Sequence, residues 1–302
     1  MIDLPSIEQC FIDLGWGPNW REDDVAVSIF KQMKAAHDFI QPDHIVLDIS
    51  AGEAKYRPMY DHGHYVAFDS QVGDSRWDYS KLDIVGDAMH MPIRNSSIDV
   101  ALNFTSLEHY YDPFAFFSEV ARVLRPGGKL FLFVPHFGQE HQQPYDFYRY
   151  TQFALKDLTL RNGLEAEVVE PAGSAFFTAT KMIDYLLLSI NALGPNPHIV
   201  TYLEQTKTSL MALSRQVDAA LLANPAARAV ISQLPVQYVL VAKKPGELSR
   251  RPLPDSRLGI LNEILADPFE KKPIFWDGVS DSVQPQASSR KYPVINGIPR
   301  FM

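Results

Sequence analysis

The chain has 302 residues, 46% hydrophobic and 21% charged, a balance that suits a soluble globular protein and excludes a disordered or collagen-like one. Its 28 Lys and Arg against 36 Asp and Glu give a formal charge of −8, which argues against a nucleic-acid partner, because phosphate-tracking surfaces are electropositive. The one cysteine, Cys10, excludes a disulfide within the chain and any Cys-rich metal site, and it fits a reducing, cytoplasmic setting.

Residues 1–9 carry Asp3 and Glu8 and lack a basic segment followed by an apolar one, so they do not read as a signal peptide. Residues 1–40 form a helical lead-in. Within it Val25, Ile29, Met33, Ala36 and Ile40 fall at helical spacing, predicting an amphipathic helix over Arg21–Ile40. After the break at Gln41-Pro42-Asp43, short β-branched runs alternate with helices, the pattern of a parallel sheet with crossovers. The predicted strands are Ile45–Ile49, Tyr65–Phe68, Ile84–Gly86, Val100–Phe104, Lys129–Val134, Ala166–Val169 and Val236–Ala242.

Asp112 is a good N-cap with Pro113 at the first helical position, and Phe114, Phe117, Val120, Ala121 and Leu124 form an apolar stripe. Arg125-Pro126-Gly127-Gly128 is expected to stop this helix and turn the chain into the next strand. A second helix over Thr151–Arg161 ends at Asn162-Gly163, a left-handed cap.

The core thus covers residues 41–173, with its last strand within 234–246. Between them, residues 174–233 read as a helical insertion of two or three helices, and as a lid in the sharper reading. Its Leu203, Leu210 and Val217 recur at heptad spacing with Leu213 and Leu221 alongside, and Pro195, Pro197 and Pro225 mark breaks. Its most apolar window, Met182–Leu193, is too short to span a bilayer, so no membrane span is expected. Residues 247–302 form a Pro-punctuated tail with a short helix over Leu258–Leu265 and a β-prone ending from Tyr292.

The first strand and its loop read Asp48-Ile49-Ser50-Ala51-Gly52-Glu53-Ala54. Small residues at the C-terminal edge of a parallel sheet let a ligand approach the backbone. Asp69 ends the second strand, well placed for a ribose diol. A nicotinamide-binding fold would share both features, although there the glycines run as GxGxxG.

The later motifs discriminate. Asp83-Ile84-Val85-Gly86-Asp87-Ala88 precedes Ser97-Ile98-Asp99-Val100-Ala101, then Leu107-Glu108-His109, then Val123-Leu124-Arg125-Pro126-Gly127-Gly128. In order and spacing these resemble the class I S-adenosylmethionine-dependent methyltransferases, over roughly residues 45–170 and 236–245. Tyr56-Arg57-Pro58 and the run His141 to Thr151 are similar to a subgroup of bacterial methyltransferases from polysaccharide and secondary-metabolite pathways.

The resemblance implies a Rossmann-like α/β fold with a seven-stranded, mostly parallel sheet. It also implies S-adenosylmethionine as cofactor and a small molecule as methyl acceptor, through oxygen or nitrogen. Carried over position by position, Asp48, Ile49, Ser50, Ala51 and Gly52 would hold the methionine moiety. Asp69 would bind the ribose, Asp87 and Ala88 would flank the adenine, and Asn103 and Phe104 would form the floor under the sulfonium. Where the family has three glycines, this chain has Ser50, Gly52 and Ala54.

A base is needed where the acceptor must lose a proton, and histidine suits that work near neutral pH. His109 and His141 are the first candidates, with Tyr148 beside them, while His136, Tyr145 and Arg149 are placed to bind the acceptor. His109 reads equally well as a core histidine, and the Tyr145–Tyr150 run partly as core packing. His62 and His64 read as a solvated turn, and no metal ligand is assigned.

The tail has a resemblance of its own. Leu265–Pro273 and Tyr292–Pro299 look like the zinc-ribbon module that activates some tRNA and release-factor methyltransferases. Asp267 and Glu270 stand where its first cysteine pair would be, and Pro285 and Ser288 around the second, so this version would be metal-free. It is expected to dock on the core or on a second subunit; a homodimer through the insertion or tail is one option. The readings held against methyl transfer are a non-catalytic scaffold, motivated by Ser50 and Ala54, and an NAD-dependent oxidoreductase, in which the Arg125–Gly128 turn has no role.

Overall fold

The computed structural model describes residues 4–194, 196–221, 224, 226, 230, 233–286 and 288–302. The lead-in forms α1 (Leu4–Phe11) and α2 (Asp24–Phe39). The Asp23 carboxylate accepts from the Val25 and Ala26 amides, so α2 starts later than its spacing suggested and Trp20–Glu22 forms a separate 3-10 turn. Val25, Ile29, Met33, Ala36 and Ile40 are all buried.

The chain continues through β1 (Ile45–Ile49), α3 (Arg57–Tyr60), β2 (His64–Asp69), β3 (Ile84–Gly86), β4 (Ile98–Phe104), α4 (Pro113–Val123), β5 (Leu124–Pro135), α5 (Gln152–Arg161) and β6 (Glu165–Ala172). The insertion follows as α6 (Ala175–Leu193) and α7 (Pro197–Leu221), then β7 (Gln237–Lys243) and α8 (Arg257–Ile264). The tail ends in β8 (Ile274–Phe275), β9 (Ser282–Pro285), β10 (Tyr292–Ile295) and β11 (Ile298–Phe301).

The sheet order is β6-β7-β5-β4-β1-β2-β3-β11-β10-β9-β8. The expectation of seven strands is corrected to 11, because the tail extends the sheet. Strand β3 has an outer edge of unpaired backbone groups, and β11 covers it with Arg300 opposite Val85 and Phe301 opposite Gly86. Strands β1 to β5 run parallel, and β7 lies antiparallel between β5 and β6. From β1 the chain winds one way through β2 and β3 and the other way through β4 and β5. The switch point therefore lies between β1 and β4, where open α/β sheets bind ligands at the C-terminal strand ends.

Both faces of the sheet are covered, which is why β1 reads as an unbroken apolar run apart from Asp48. Ile45, Leu47 and Ile49 pack with Phe116 and Phe117 of α4, Leu155 of α5 and Leu261 and Ile264 of α8. Val46 packs on the other face with Phe11 of α1, Met33 of α2 and Tyr60 of α3.

Two local expectations are corrected. The buried stripe of α4 is Phe116, Phe117, Val120 and Val123, while Phe114 is exposed; both phases share Phe117 and Val120, and contact with the sheet chose between them. Arg125–Gly128 is not a free turn. Leu124 already pairs with Ile98, a bulge follows, and the register resumes at Val100 and Lys129. Gly127, at φ +82°, allows the chain after β7 to pass so close that a Cβ would lie 2.4 Å from the Leu248 amide nitrogen.

In α7, Leu203 and Leu210 are half-buried and Leu213 is exposed, while Ser214 is buried. The Val217 and Leu221 side chains, and Pro195 and Pro225, lie outside the described residues. Among the described residues no helix is long and apolar enough to cross a membrane.

In the tail, the buried Asp267 carboxylate accepts from the Phe269 and Glu270 amides at 2.8 and 2.6 Å and from the Tyr292 hydroxyl at 2.8 Å. A carboxylate thus ties together the segment that resembles a metal knuckle.

Candidate active site

A cavity of about 610 Å³ opens at the switch point, a size usual for small-molecule sites. The loop after β1 forms one wall. Its Ala51 amide donates to the Phe68 carbonyl at 3.0 Å, and its Gly52 amide to Asp69 Oδ2 at 2.9 Å. Asp69 Oδ1 accepts from the Gln71 amide at 2.6 Å, and burial pushes the Asp69 carboxyl up from its ordinary value.

Ser50, Gly52 and Ala54 all adopt left-handed backbone, with φ of 64°, 54° and 53°. A side chain in that conformation costs about 1 kcal/mol, which explains why glycine suits these positions. Ser50 recovers part of that, since its Oγ lies 2.6 Å from the Tyr110 hydroxyl, itself 2.9 Å from Asn103 Nδ2.

Of the residues expected to touch a cofactor, Ser50, Ala51, Gly52, Asp69, Asp87, Ala88 and Phe104 line the cavity. Asp87 also accepts from the Met89 amide at 2.8 Å, fixing the turn after β3. Asp48, Ile49 and Asn103 sit beneath the wall. Asp48 is 1% exposed and accepts from the Tyr65 hydroxyl, and burial pushes its carboxyl up to about 7. Ile49 points into the core, and Asn103 Nδ2 lies 3.0 Å from the Ile49 carbonyl and 2.6 Å from Ser106 Oγ, tying β4 to β1.

The opposite wall comes from the ends of β4 and β5. A 3-10 turn over Leu107–His109 follows β4. The loop after β5 returns to it, so that the Phe147 and Tyr148 amides donate to the Glu108 carbonyl at 2.9 and 3.3 Å. This brings His109, His141 and Tyr145 to the cavity, together with Glu108. Glu108 Oε1 lies 3.8 Å from His109 Nε2 and 3.7 Å from His141 Nε2, and that carboxylate pushes the His141 imidazole up from its ordinary value.

Tyr148, His136 and Arg149 do not line the cavity. The Tyr148 hydroxyl donates to the Tyr111 carbonyl at 3.1 Å, and His136 Nδ1 to the Tyr150 carbonyl at 2.7 Å. Arg149 forms a two-toothed pair with Asp146 at 2.6 and 2.9 Å and donates to the Gln139 carbonyl at 2.8 Å. All three brace the loop that presents His141 and Tyr145.

Glu108 was missed as a site residue, although Leu107-Glu108-His109 stood out as a motif; a carboxylate directly before a candidate histidine was the signal. Met302 also lines the cavity, brought there by the β11–β3 pairing, and none of the described residues of the insertion does. His62 is half-buried rather than solvated: its Nε2 lies 3.1 Å from the His37 carbonyl, and its ring packs on that of His37.

Residues 47–132, from β1 to β5, match the family model described as a methyltransferase domain. The segment 47–132 thus resembles a methyltransferase domain. A probable S-adenosylmethionine-dependent methyltransferase of Mycolicibacterium smegmatis is 38% identical over 69 residues, 22% of this chain and 27% of that protein. An O-methyltransferase of Pyrenophora dematioidea is 32% identical over 102 residues, 30% of this chain and 38% of that one. The chain therefore spans well under half the length of these curated relatives. Among solved structures, the geranyl diphosphate C-methyltransferase of Streptomyces coelicolor covers 71% of this chain and 78% of its own, at 12% identity and a TM-score of 0.44. The matched segment supplies the C-terminal ends of β1 to β4, whereas the end of β5 and the loop bearing His141 and Tyr145 lie outside it.

Proposed function

We propose that this protein is an S-adenosylmethionine-dependent methyltransferase that methylates an oxygen or nitrogen of a small molecule. The observation that carries this reading is one continuous cavity with Ser50–Gly52, Asp69 and Asp87 on one wall and Glu108, His109 and His141 on the other. Asp69 suits a ribose diol. Its oxygens are oriented by the Gly52 and Gln71 amides, and each keeps a lone pair for a ligand hydroxyl. Ser50, Ala51 and Gly52 hold the methionine moiety, Asp87 and Ala88 flank the adenine, and Phe104 lies under the sulfonium. Asp48, Ile49 and Asn103 hold that wall in place from beneath.

The bound cofactor supplies an electrophilic methyl group. The chain's own work is to align the acceptor for in-line displacement, exclude water and dispose of a proton. His109 and His141 take that proton, and the buried Glu108 balances the charge formed. Tyr145 contacts the acceptor, while Tyr148, His136 and Arg149 act through the loop they brace. The acceptor belongs to the class of bacterial sugar-containing or secondary metabolites, on the strength of the His141–Thr151 run. The tail serves as a metal-free stabiliser of the β3 edge.

Calorimetry with S-adenosylmethionine or its demethylated product tests the cofactor, and no binding at millimolar ligand defeats the reading. Labelled methyl uptake from metabolite extracts tests the reaction. Cofactor binding with no uptake in any extract favours the scaffold reading instead.

A further inference from the structure

Among the described residues, Glu108, His109 and His141 form a group whose donor atoms all lie within 4.8 Å of one another. The hydrogen-bond partners fix which ring nitrogens are free. His109 Nδ1 lies 2.5 Å from the Tyr145 carbonyl and His141 Nδ1 3.2 Å from the Gln139 carbonyl. Carbonyls only accept, so each Nδ1 carries a proton, and in the neutral form of each ring the Nε2 lone pair faces Glu108. The Glu108 side chain is only 2% exposed, and Glu108 Oε2 and His109 Nε2 are buried without a hydrogen-bond partner. With both rings neutral, three acceptors converge with no donor between them. Left as they are, they repel, and a buried polar atom without a partner costs about 1–3 kcal/mol.

We infer that Glu108, His109 and His141 bind a divalent transition-metal cation at the acceptor end of the cavity. Two imidazoles and one carboxylate suit zinc, cobalt or iron rather than magnesium or calcium, which prefer all-oxygen sets. Bonds of roughly 2.0–2.1 Å at tetrahedral angles put donor atoms about 3.3–3.4 Å apart. The Glu108–imidazole separations of 3.8 and 3.7 Å, and the spread of up to 4.8 Å across the group, must shorten to that as the cation binds. The Nδ1 contacts to carbonyls are the outer-shell bonds that orient metal-binding histidines, and Asp146 Oδ2 adds another 3.3 Å from His141 Nδ1. Three protein ligands leave coordination positions open toward the cavity, beside Tyr145 and Gln142.

The role of the cation rests on the methyl-transfer reading. With the cation bound, both Nε2 lone pairs are taken, so the cation replaces the two imidazoles in releasing the acceptor proton. A hydroxyl bound to it loses its proton to solvent more readily than a free one. The oxygen electron pair then forms the new C–O bond, while the pair of the broken S–C bond stays on sulfur.

The test uses the full-length chain, stripped with chelator and titrated with Co2+ by absorbance and Zn2+ by calorimetry, with no methyl donor present. The expected result is one equivalent bound, with the visible bands of nitrogen- and oxygen-ligated cobalt. Glu108→Gln and His141→Ala weaken it at least about tenfold, and His62→Ala leaves it unchanged. Circular dichroism checks that each variant folds; His141 lies on a loop and is half-buried, so its variant gives the readout even where Glu108→Gln does not fold. Substoichiometric binding, or binding that His141→Ala leaves unchanged, overturns the site. Demethylated cofactor is titrated separately: its binding without metal binding defeats only the metal site. Metal binding without cofactor binding defeats only the methyl-transfer reading.

Discussion

The two walls of the cavity handle their carboxylates in opposite ways. On the β1–β3 wall the carboxylates are engaged by the protein: Asp69 holds two amides, Asp87 holds one and Asp48 takes the Tyr65 hydroxyl. On the β4–β5 wall, Glu108 Oε2 and His109 Nε2 are buried with nothing bound to them. The first wall is rigid before any ligand arrives. The second is completed by what binds there. A wall that positions a ligand gains from being satisfied in advance, whereas a wall that does chemistry needs spare lone pairs.

Substitutions that affect one wall and spare the other test this contrast. The largest effect is expected from Glu108→Gln, which keeps the shape and removes the charge. Methyl transfer falls at least about 100-fold while affinity for the demethylated cofactor stays within about twofold, measured by labelled methyl uptake and calorimetry. Equal losses in both would erase the distinction between the walls.

Asp69→Ala acts on the other wall. It removes the acceptor for the Gly52 and Gln71 amides and for a ribose, so cofactor affinity falls about 10- to 100-fold by calorimetry.

Asp48→Asn probes the cost of a buried carboxyl. The folded protein holds that carboxyl near 7, well above its unfolded value, so the folded state binds the extra proton over the interval between them. Asp48 therefore lowers stability as pH rises from about 4 to about 7, and the penalty is full above that. The Asn variant should melt higher than the parent at pH 8, with the gap closing toward pH 4. A gap independent of pH would refute the assignment.

The smallest effect belongs to Ala54→Gly. Relief of left-handed strain is offset in part by the extra freedom of glycine when unfolded, leaving a gain of about 0.5 kcal/mol in urea unfolding. Ser50→Gly should gain less than Ala54→Gly, because it also loses the Tyr110 contact.

Much of the β1–β3 wall was legible in advance, because its features are local. Small residues after an apolar strand and acids at strand ends sit within a few positions of one another, and Asp69 and Asp87 proved to line the cavity. The same reading could not say that Asp48 and Asn103 face inward, since strand alternation fixes opposite faces but not which of them meets the ligand. The β4–β5 wall joins residues 108 and 141, which only the return of the loop after β5 brings together. His109 and His141 were candidates as separate histidines; their shared carboxylate was not seen.

The opening numbers of length, charge and cysteine bounded the class of protein, and periodicity placed the first seven strands and most helices. Those signals depend on short-range geometry: 3.6 residues per helical turn, alternation along a strand, caps that satisfy nearby amides. Tertiary structure alone decided that the tail would add four strands at the β3 edge and bring Met302 to the cavity. It alone turned the α4 stripe by one position, and it alone converged two imidazoles on Glu108. Each of these depends on which distant surfaces meet, and burial of one segment by another leaves no periodic mark in either.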